Sequence, residues 1–134
     1  MGTRSLTIVK DEDGRKLLTL YRQMDGYPTG HGQELADFLK PIKLVNGISN
    51  EKEPIANGMG CLAAQIVAHF KRAAGGFYIM TAGDHGQDYV YTVSTDEKHR
   101  ILLSVQNPSK KILDRRPVEL YDGKRLEALE SQEA

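Results

Sequence analysis

The sequence predicts a single α+β domain, residues 1–134, in which an antiparallel sheet of about five strands carries two helices on one face. Three observations predict this class. Two alternating, β-branched runs stand near the start of the chain, two helical segments occupy its middle, and strand-like runs fill most of the rest. The expected order is ββ–αα–βββ, and helices grouped between strands usually cover one face of an antiparallel sheet.

The first two strands are predicted over residues 5–9 and 16–23. The acidic segment between them, residues 11–14, ends in glycine, and this pattern is typical of a β-hairpin. Residues 25–32 then contain three glycines and a proline. Because neither residue type sustains the interior of a strand, the second strand must end before them.

The two helices are predicted from apolar residues at helical spacing. Leu35, Phe38, Leu39 and Ile42 fall at positions i, i+3, i+4 and i+7, which places them on one face of a short helix. A second helix is predicted from about residue 60 to residue 74, because apolar residues again follow one face and a pair of glycines provides a C-terminal cap.

The connection between these helices, residues 43–57, has no clear period and contains turn-forming pairs. A segment of this length without regular structure is uncommon in a compact domain and is often a lid or a binding loop. We therefore predict a loop with one of these roles.

The C-terminal half is predicted to be mostly strand. Strands are expected over residues 77–81, 89–93 and 100–105, and residues 117–121 are a candidate edge strand. Residues 122–134 carry two leucines among charges, which indicates a marginal helix or a frayed tail.

Composition excludes several classes of protein. The 134 residues include 18 basic and 18 acidic side chains, so the formal net charge is +0 and strong attraction to nucleic acid is not expected. A single cysteine cannot form an intramolecular disulfide, and no cluster has metal-ligand spacing, so we predict no metal and no cofactor. No apolar run approaches the roughly 20 residues of a membrane span. We expect a cytoplasmic protein without membrane contact.

Each predicted helix follows a glycine-rich turn, residues 25–32 and residues 57–61. Glycines allow close approach to a ligand, and free N–H groups at a helix start attract phosphate or carboxylate. The long connection would allow the helices to run parallel and to present both starts to one pocket, where Arg22 adds a bidentate contact. The candidate ligand-binding residues are Arg22, Asp25, Tyr27, His31, Asn57, Gly58 and Gly60.

The leading hypothesis is therefore a domain that binds a small anionic molecule, a nucleotide or a related phosphate. Sequestration of a signalling nucleotide by a phage-borne protein is one form of this function. Neither turn matches the P-loop or the dinucleotide-binding pattern, so the turns alone do not identify the ligand.

Two other functions are kept as alternatives. Cys61 falls in the first turn of the second predicted helix, where the helix dipole favours a thiolate, and His31, or with less support His85, would be its base in a hydrolase or transferase. Lone cysteines are, however, usually small buried hydrophobes. The other alternative is a protein-interaction module without a small ligand, which would use residues 43–57 and the sheet edge.

The first third of the chain opens with Met-Gly-Thr-Arg and contains a Gln-x-Asp-Gly-Tyr-Pro-x-Gly-x-Gly signature over residues 23–32. In these features it resembles a family of small bacterial, phage and fungal proteins of uncharacterised activity. It implies that Thr3, Arg4, Tyr21, Gln23, Asp25, Tyr27 and His31 form one neighbourhood. It implies no catalytic residue.

Self-association is also expected. A sheet with helices on one side leaves its other face and its edges available, and such surfaces are commonly covered by a second copy of the chain. We predict a homodimer or a higher homo-oligomer.

Overall fold

The computed structural model describes residues 2–47 and 54–131, and eight strands and three helices form in these residues. The strands are β1 (Ser5–Lys10), β2 (Lys16–Arg22), β3 (Lys43–Val45), β4 (Ile55–Asn57), β5 (Phe77–Ile79), β6 (Tyr89–Thr95), β7 (Ile101–Gln106) and β8 (Ile112–Pro117). The helices are α1 (Gln33–Leu39), α2 (Gly58–Phe70) and α3 (Gly123–Ser131).

Six of the strands form one sheet in the order β5-β2-β1-β6-β7-β8. All neighbours are antiparallel except β1 and β6, which run parallel from the pair Ser5 and Tyr89 to the pair Val9 and Val93. The predicted α+β class is confirmed, but the predictions of about five strands and two helices are wrong for the described part of the chain. The central parallel pair joins strands that are far apart in sequence, so no local pattern reveals it.

The β1–β2 hairpin and the β6–β7 pair form as predicted. The last strand does not, because β8 ends at Pro117 and Val118–Leu120 forms one turn of 3₁₀ helix. Strand β8 is charged at Asp114, Arg115 and Arg116, as is usual for an edge strand. That charge hides the hydrophobic alternation by which a strand is recognised in sequence.

The connection between α1 and α2 is more ordered than expected. Strands β3 and β4 pair in parallel, from Lys43 and Ile55 to Val45 and Asn57. Three-residue strands are too short to show a period, which is why the sequence predicted a loop. Residues 48–53 lie outside the described part of the chain, and with them the middle of the predicted lid or binding loop.

Helix α2 ends earlier than predicted. Lys71 is already extended, although its N–H still donates to the Val67 carbonyl at 2.9 Å. Gly75 and Gly76, predicted as the helix cap, instead form a separate left-handed turn (φ +83° and +77°) that leads into β5. The helical alternative for the C-terminal segment is confirmed over α3, and residues 132–134 lie outside the description.

The core lies between one face of the sheet and the three helices. Its largest buried members are apolar side chains of both layers: Val9, Leu20, Tyr91, Val93 and Leu103 from the sheet, and Leu35, Leu39, Leu62, Ile66, Leu126 and Leu129 from the helices. Leu6 of β1 lies beside Val90 of β6 on the opposite face of the sheet, and both side chains are also buried. No helix within residues 2–47 and 54–131 has the length and apolar character that a membrane crossing requires. Self-association remains a prediction.

Candidate functional site

The first glycine-rich turn folds against the start of β1. Asp25 takes a left-handed conformation (φ +62°), and its carbonyl accepts the N–H of His31 at 2.8 Å. Gly26 donates its N–H to the Thr3 carbonyl at 2.9 Å, and its own carbonyl accepts the Tyr91 hydroxyl at 2.7 Å. The segment Pro28–Gly32 then forms one π-helical turn that continues directly into α1. The backbone of this turn places the His31 side chain in the protein interior.

His31 is fully buried between the sheet and α2. Its Nε2 lies 2.6 Å from the Thr7 hydroxyl, and its Nδ1 lies 3.1 Å from Nη1 of Arg22. A guanidinium only donates, so Nδ1 must accept and Nε2 must carry the hydrogen that is donated to Thr7. The ring also packs on Phe70 and Tyr91, with centroids 5.1 and 5.3 Å away.

Burial, together with the positive charge of Arg22, lowers the pKa of His31 to about 3. The ring is therefore neutral at physiological pH. It is a positioning group that connects β1 to β2 and orients Arg22.

Arg22 is the most constrained cation of this region, and its side chain is only 14% exposed. Its Nε donates to the Met24 carbonyl at 2.6 Å, and its Nη1 also contacts the carboxylate of Glu34. Its Nη2 lies 4.0 Å from the Asp25 carboxylate, and the guanidinium stands over the Phe77 ring at 5.1 Å. These contacts fix both its position and its plane.

Arg22 forms one wall of a cleft at the end of α2. The cleft has a volume of about 320 Å³, and its walls are Arg22, Glu34, His69, Phe70, Arg72 and Phe77. We call it the arginine cleft. Arg72 is exposed and has no ion-pair or hydrogen-bond partner in the part of the chain that the structure describes.

A larger groove adjoins the arginine cleft and runs between α1 and α2. Its volume is about 820 Å³, and its walls are Glu34, Asp37, Phe38, Pro41, Ile42, Pro54, Ile55, Gln65, Ala68 and His69. We call it the helix groove. Glu34 and His69 belong to both sets of walls, so the two spaces adjoin at these side chains.

Neither helix start is open to an external anion. The Glu12 carboxylate, from the β1–β2 turn, accepts the N–H of Met59 at 2.8 Å in the first turn of α2. Glu130 of α3 accepts both the N–H of Thr29 at 3.1 Å and its hydroxyl at 2.8 Å, at the start of the π-helical turn. Helix starts attract carboxylates, as expected, but the carboxylates that occupy them belong to the chain itself.

The predicted shared pocket does not form. Arg22, Asp25, Tyr27 and His31 lie together: Arg22 contacts His31 and Asp25, and the Tyr27 hydroxyl is 3.4 Å from the Asp25 carboxylate. This group meets the C-terminal end of α2, at Phe70.

Asn57, Gly58 and Gly60 lie at the other end of α2, about 20 Å away along a helix of 13 residues. They line a separate cavity of about 430 Å³. The helices do not run parallel as predicted, because β3 and β4 carry the chain towards the β1–β2 turn and α2 returns from there.

The proposed Cys61–His31 pair is likewise separated by most of the length of α2. Cys61 is half-buried and lines the 430 Å³ cavity together with Glu12 and His99. Among the described residues it has no hydrogen bond to a basic side chain. His85 is also engaged elsewhere, with its Nε2 2.6 Å from the Thr81 carbonyl.

Of the six wall residues of the arginine cleft, the sequence identifies only Arg22 as a site residue. Arg72 falls inside the longer predicted helix, Glu34 stands on the polar face of α1, and Phe77 begins a predicted strand. An exposed arginine beside a glycine pair is a common surface pattern, so only the packing of β5 against β2 reveals that these side chains converge.

Comparison of the chain with family models, curated proteins and solved structures yields no match. The family resemblance of the first third therefore stays a prediction. No group of three or more histidine, cysteine, aspartate or glutamate side chains within residues 2–47 and 54–131 is arranged to hold a metal ion.

The contact between Glu12 and the α2 start leads to a stability prediction. Glu12→Ala should lower the free energy of unfolding by about 1 kcal/mol, because the Met59 N–H loses its partner and the helix dipole loses a compensating charge. Urea unfolding at neutral pH measures this change. Asp13→Ala is the matched control, since that neighbouring carboxylate is exposed and makes no contact with α2. Equal losses in the two variants would contradict the assignment.

Proposed function

We propose that the protein binds a small molecule through an anionic group, a phosphate or a carboxylate, at the arginine cleft. The observation that carries this proposal is the fixed guanidinium of Arg22 in the wall of a cavity that also contains Arg72. The anionic ligand expected from the sequence is retained. Its proposed contacts are Arg22 and Arg72, and they leave out the other residues expected from the sequence: Asp25, Tyr27, His31, Asn57, Gly58 and Gly60.

Arg22 is suited to anion recognition because its orientation is already set. A planar guanidinium presents a rigid fork of N–H donors that matches the oxygens of a phosphate or carboxylate. Two of its nitrogens contact Met24, His31 and Glu34, whereas Nη2 donates no hydrogen bond to a described residue. Binding there costs little side-chain entropy, because the arginine does not need to be ordered by the ligand.

An unpaired cation in the cleft also favours an anion. Arg22 is already ion-paired with the carboxylates of Glu34 and Asp25, whereas Arg72 has no partner among the described residues and would compensate an added negative charge. Because His31 is neutral, it holds Arg22 without adding a second positive charge behind it. Low exposure of Arg22 strengthens its attraction for an anion relative to a fully solvated arginine.

The anion site is tested by Arg72→Ala, with Arg15→Ala as the matched control. Titration of inorganic phosphate at constant ionic strength should show about three- to tenfold weaker binding for Arg72→Ala, because one charged contact is lost. Arg15 is exposed in the β1–β2 turn, at the opposite end of α2, so its replacement should leave the affinity unchanged.

Arg22→Ala is less informative than the sequence suggested. Because Arg22 also holds His31, its removal should lower stability as well as binding. Cys61→Ser should leave phosphate affinity unchanged, since Cys61 lines a different cavity. Equal affinities of the Arg72→Ala and Arg15→Ala variants, or no phosphate binding by the unaltered protein, would refute the anion site.

A further inference from the structure

We infer that the molecule bound at the arginine cleft is a nucleotide, with its phosphate at Arg22 and Arg72, its ribose at Glu34 and its base in the helix groove. This inference rests on the proposed function and names the ligand class of the same site. It follows from the order in which three kinds of chemistry occur along two adjoining spaces.

The size of the space indicates a ligand with more than an anionic group. The arginine cleft, at about 320 Å³, adjoins the helix groove of about 820 Å³ at Glu34 and His69. Cavities of several hundred Å³ are the usual size of small-molecule sites. Inorganic phosphate would fill only the end at Arg72 and leave the apolar walls between α1 and α2 exposed.

The walls of the helix groove suit a planar ring. The rings of Phe38 and His69 are stacked on each other, with centroids 4.2 Å apart and planes at 19°, and both line the groove. Apolar side chains such as Ile42 and Ile55 complete this wall. A base can stack on the outer face of such a pair, because every base has a π face.

The exposed carboxylate of Asp37 can accept hydrogen bonds from a ligand in the groove. Asp37 accepts one hydrogen bond, from Gln33 Nε2 at 2.9 Å, and its carboxylate can accept more. Gln65 donates to the Ile55 carbonyl at 2.9 Å, which fixes its amide, while its Oε1 accepts nothing from a described residue. A hydrocarbon chain would offer no donor to Asp37, whereas the ring and exocyclic N–H groups of a base do.

Glu34 stands where the two spaces meet, between the arginines and the aromatic wall. A carboxylate at that position can accept hydrogen bonds from the hydroxyls of a ribose. The order along the site is therefore cation, carboxylate and aromatic wall. A nucleotide carries phosphate, sugar hydroxyls and N–H-bearing ring in the same order.

The test compares two tryptophan variants of α2. Ala68 and Ala64 are both exposed and lie one turn apart, but only Ala68 is a wall of the helix groove. Titrations would use inorganic phosphate and the four ribonucleoside 5′-monophosphates, with circular dichroism to show that each variant is folded. We expect at least one nucleotide to bind the unaltered protein about tenfold or more tightly than phosphate, through stacking of its base.

Ala68→Trp should abolish that advantage by filling the groove, and Ala64→Trp should preserve it, with phosphate affinity the same in both. Nucleotides that bind no more tightly than phosphate, or an advantage that survives Ala68→Trp, would overturn the nucleotide inference and leave the anion site standing. Absence of binding by both phosphate and nucleotides would overturn the anion site and the inference together.

Discussion

Gly26→Ala should destabilise the protein by about 3 kcal/mol or more, because the added methyl group has no space. A Cβ at this position would lie 2.8 Å from the Arg4 carbonyl carbon, 2.8 Å from the Ser5 Cβ and 2.9 Å from the Ser5 nitrogen. The Arg4 carbon and the Ser5 nitrogen belong to the backbone that enters β1, which is paired on one side with β2 and on the other with β6. Neither side can yield without disturbing the central strands of the sheet.

Gly60→Ala is the matched control for this substitution. A Cβ at Gly60 meets nothing within 4 Å, and the residue lies in the first turns of α2. Alanine is the better helix former by about 0.5–1 kcal/mol, so stability should be unchanged or slightly higher. Urea unfolding followed by circular dichroism measures both changes.

A Gly26→Ala variant as stable as the unaltered protein would show that the turn can move away from β1. The expected loss would instead mean that this glycine serves close packing within the chain. The sequence had suggested that the glycines of residues 25–32 admit a ligand.

The stability of the protein should fall as the pH is lowered from about 6.5 towards 3. Between pH 6.5 and 5, His31 should cause much of this loss of stability. The pKa of this buried ring is lowered from 6.5 to about 3, first by burial and then by the charge of Arg22. Below pH 6.5 the unfolded chain binds a proton that the folded chain does not, so stability decreases as the pH falls. The slope contributed by one such group approaches about 1.4 kcal/mol per pH unit.

His31→Gln should reduce this slope between pH 6.5 and 5, above the range in which most carboxylates titrate. It should also be less stable at pH 7, because glutamine cannot reproduce the ring contacts with Phe70 and Tyr91. His99→Gln is the control, since His99 lies exposed in the β6–β7 turn. Equal pH slopes in the unaltered protein and in His31→Gln would contradict the assignment of a neutral buried ring.

One wall residue of the arginine cleft, Arg22, could be predicted from sequence, together with the neighbours that hold it. Arg22, Asp25, Tyr27 and His31 were expected to lie together, and the structure brings them together because the turn of residues 25–32 directly follows the end of β2. Arg72 could not be added to that group from sequence. Its position depends on how the C-terminal end of α2 meets the sheet.

Local sequence patterns were sufficient to predict the β1–β2 hairpin, the approximate positions of α1 and α2 and the α+β class. Each of these follows from side chains that are close in the chain, through the period of apolar residues or through the chemistry of a turn. The long-range arrangement became visible in the folded chain alone: β1 pairs in parallel with β6, α2 returns towards His31, and Glu12 and Glu130 occupy the helix starts. These contacts join segments that are distant in the chain. For a charged residue such as Glu12, in a surface turn, no periodic pattern in the sequence identifies the partner. Their outcome depends on the packing of the whole core, which local propensity does not describe.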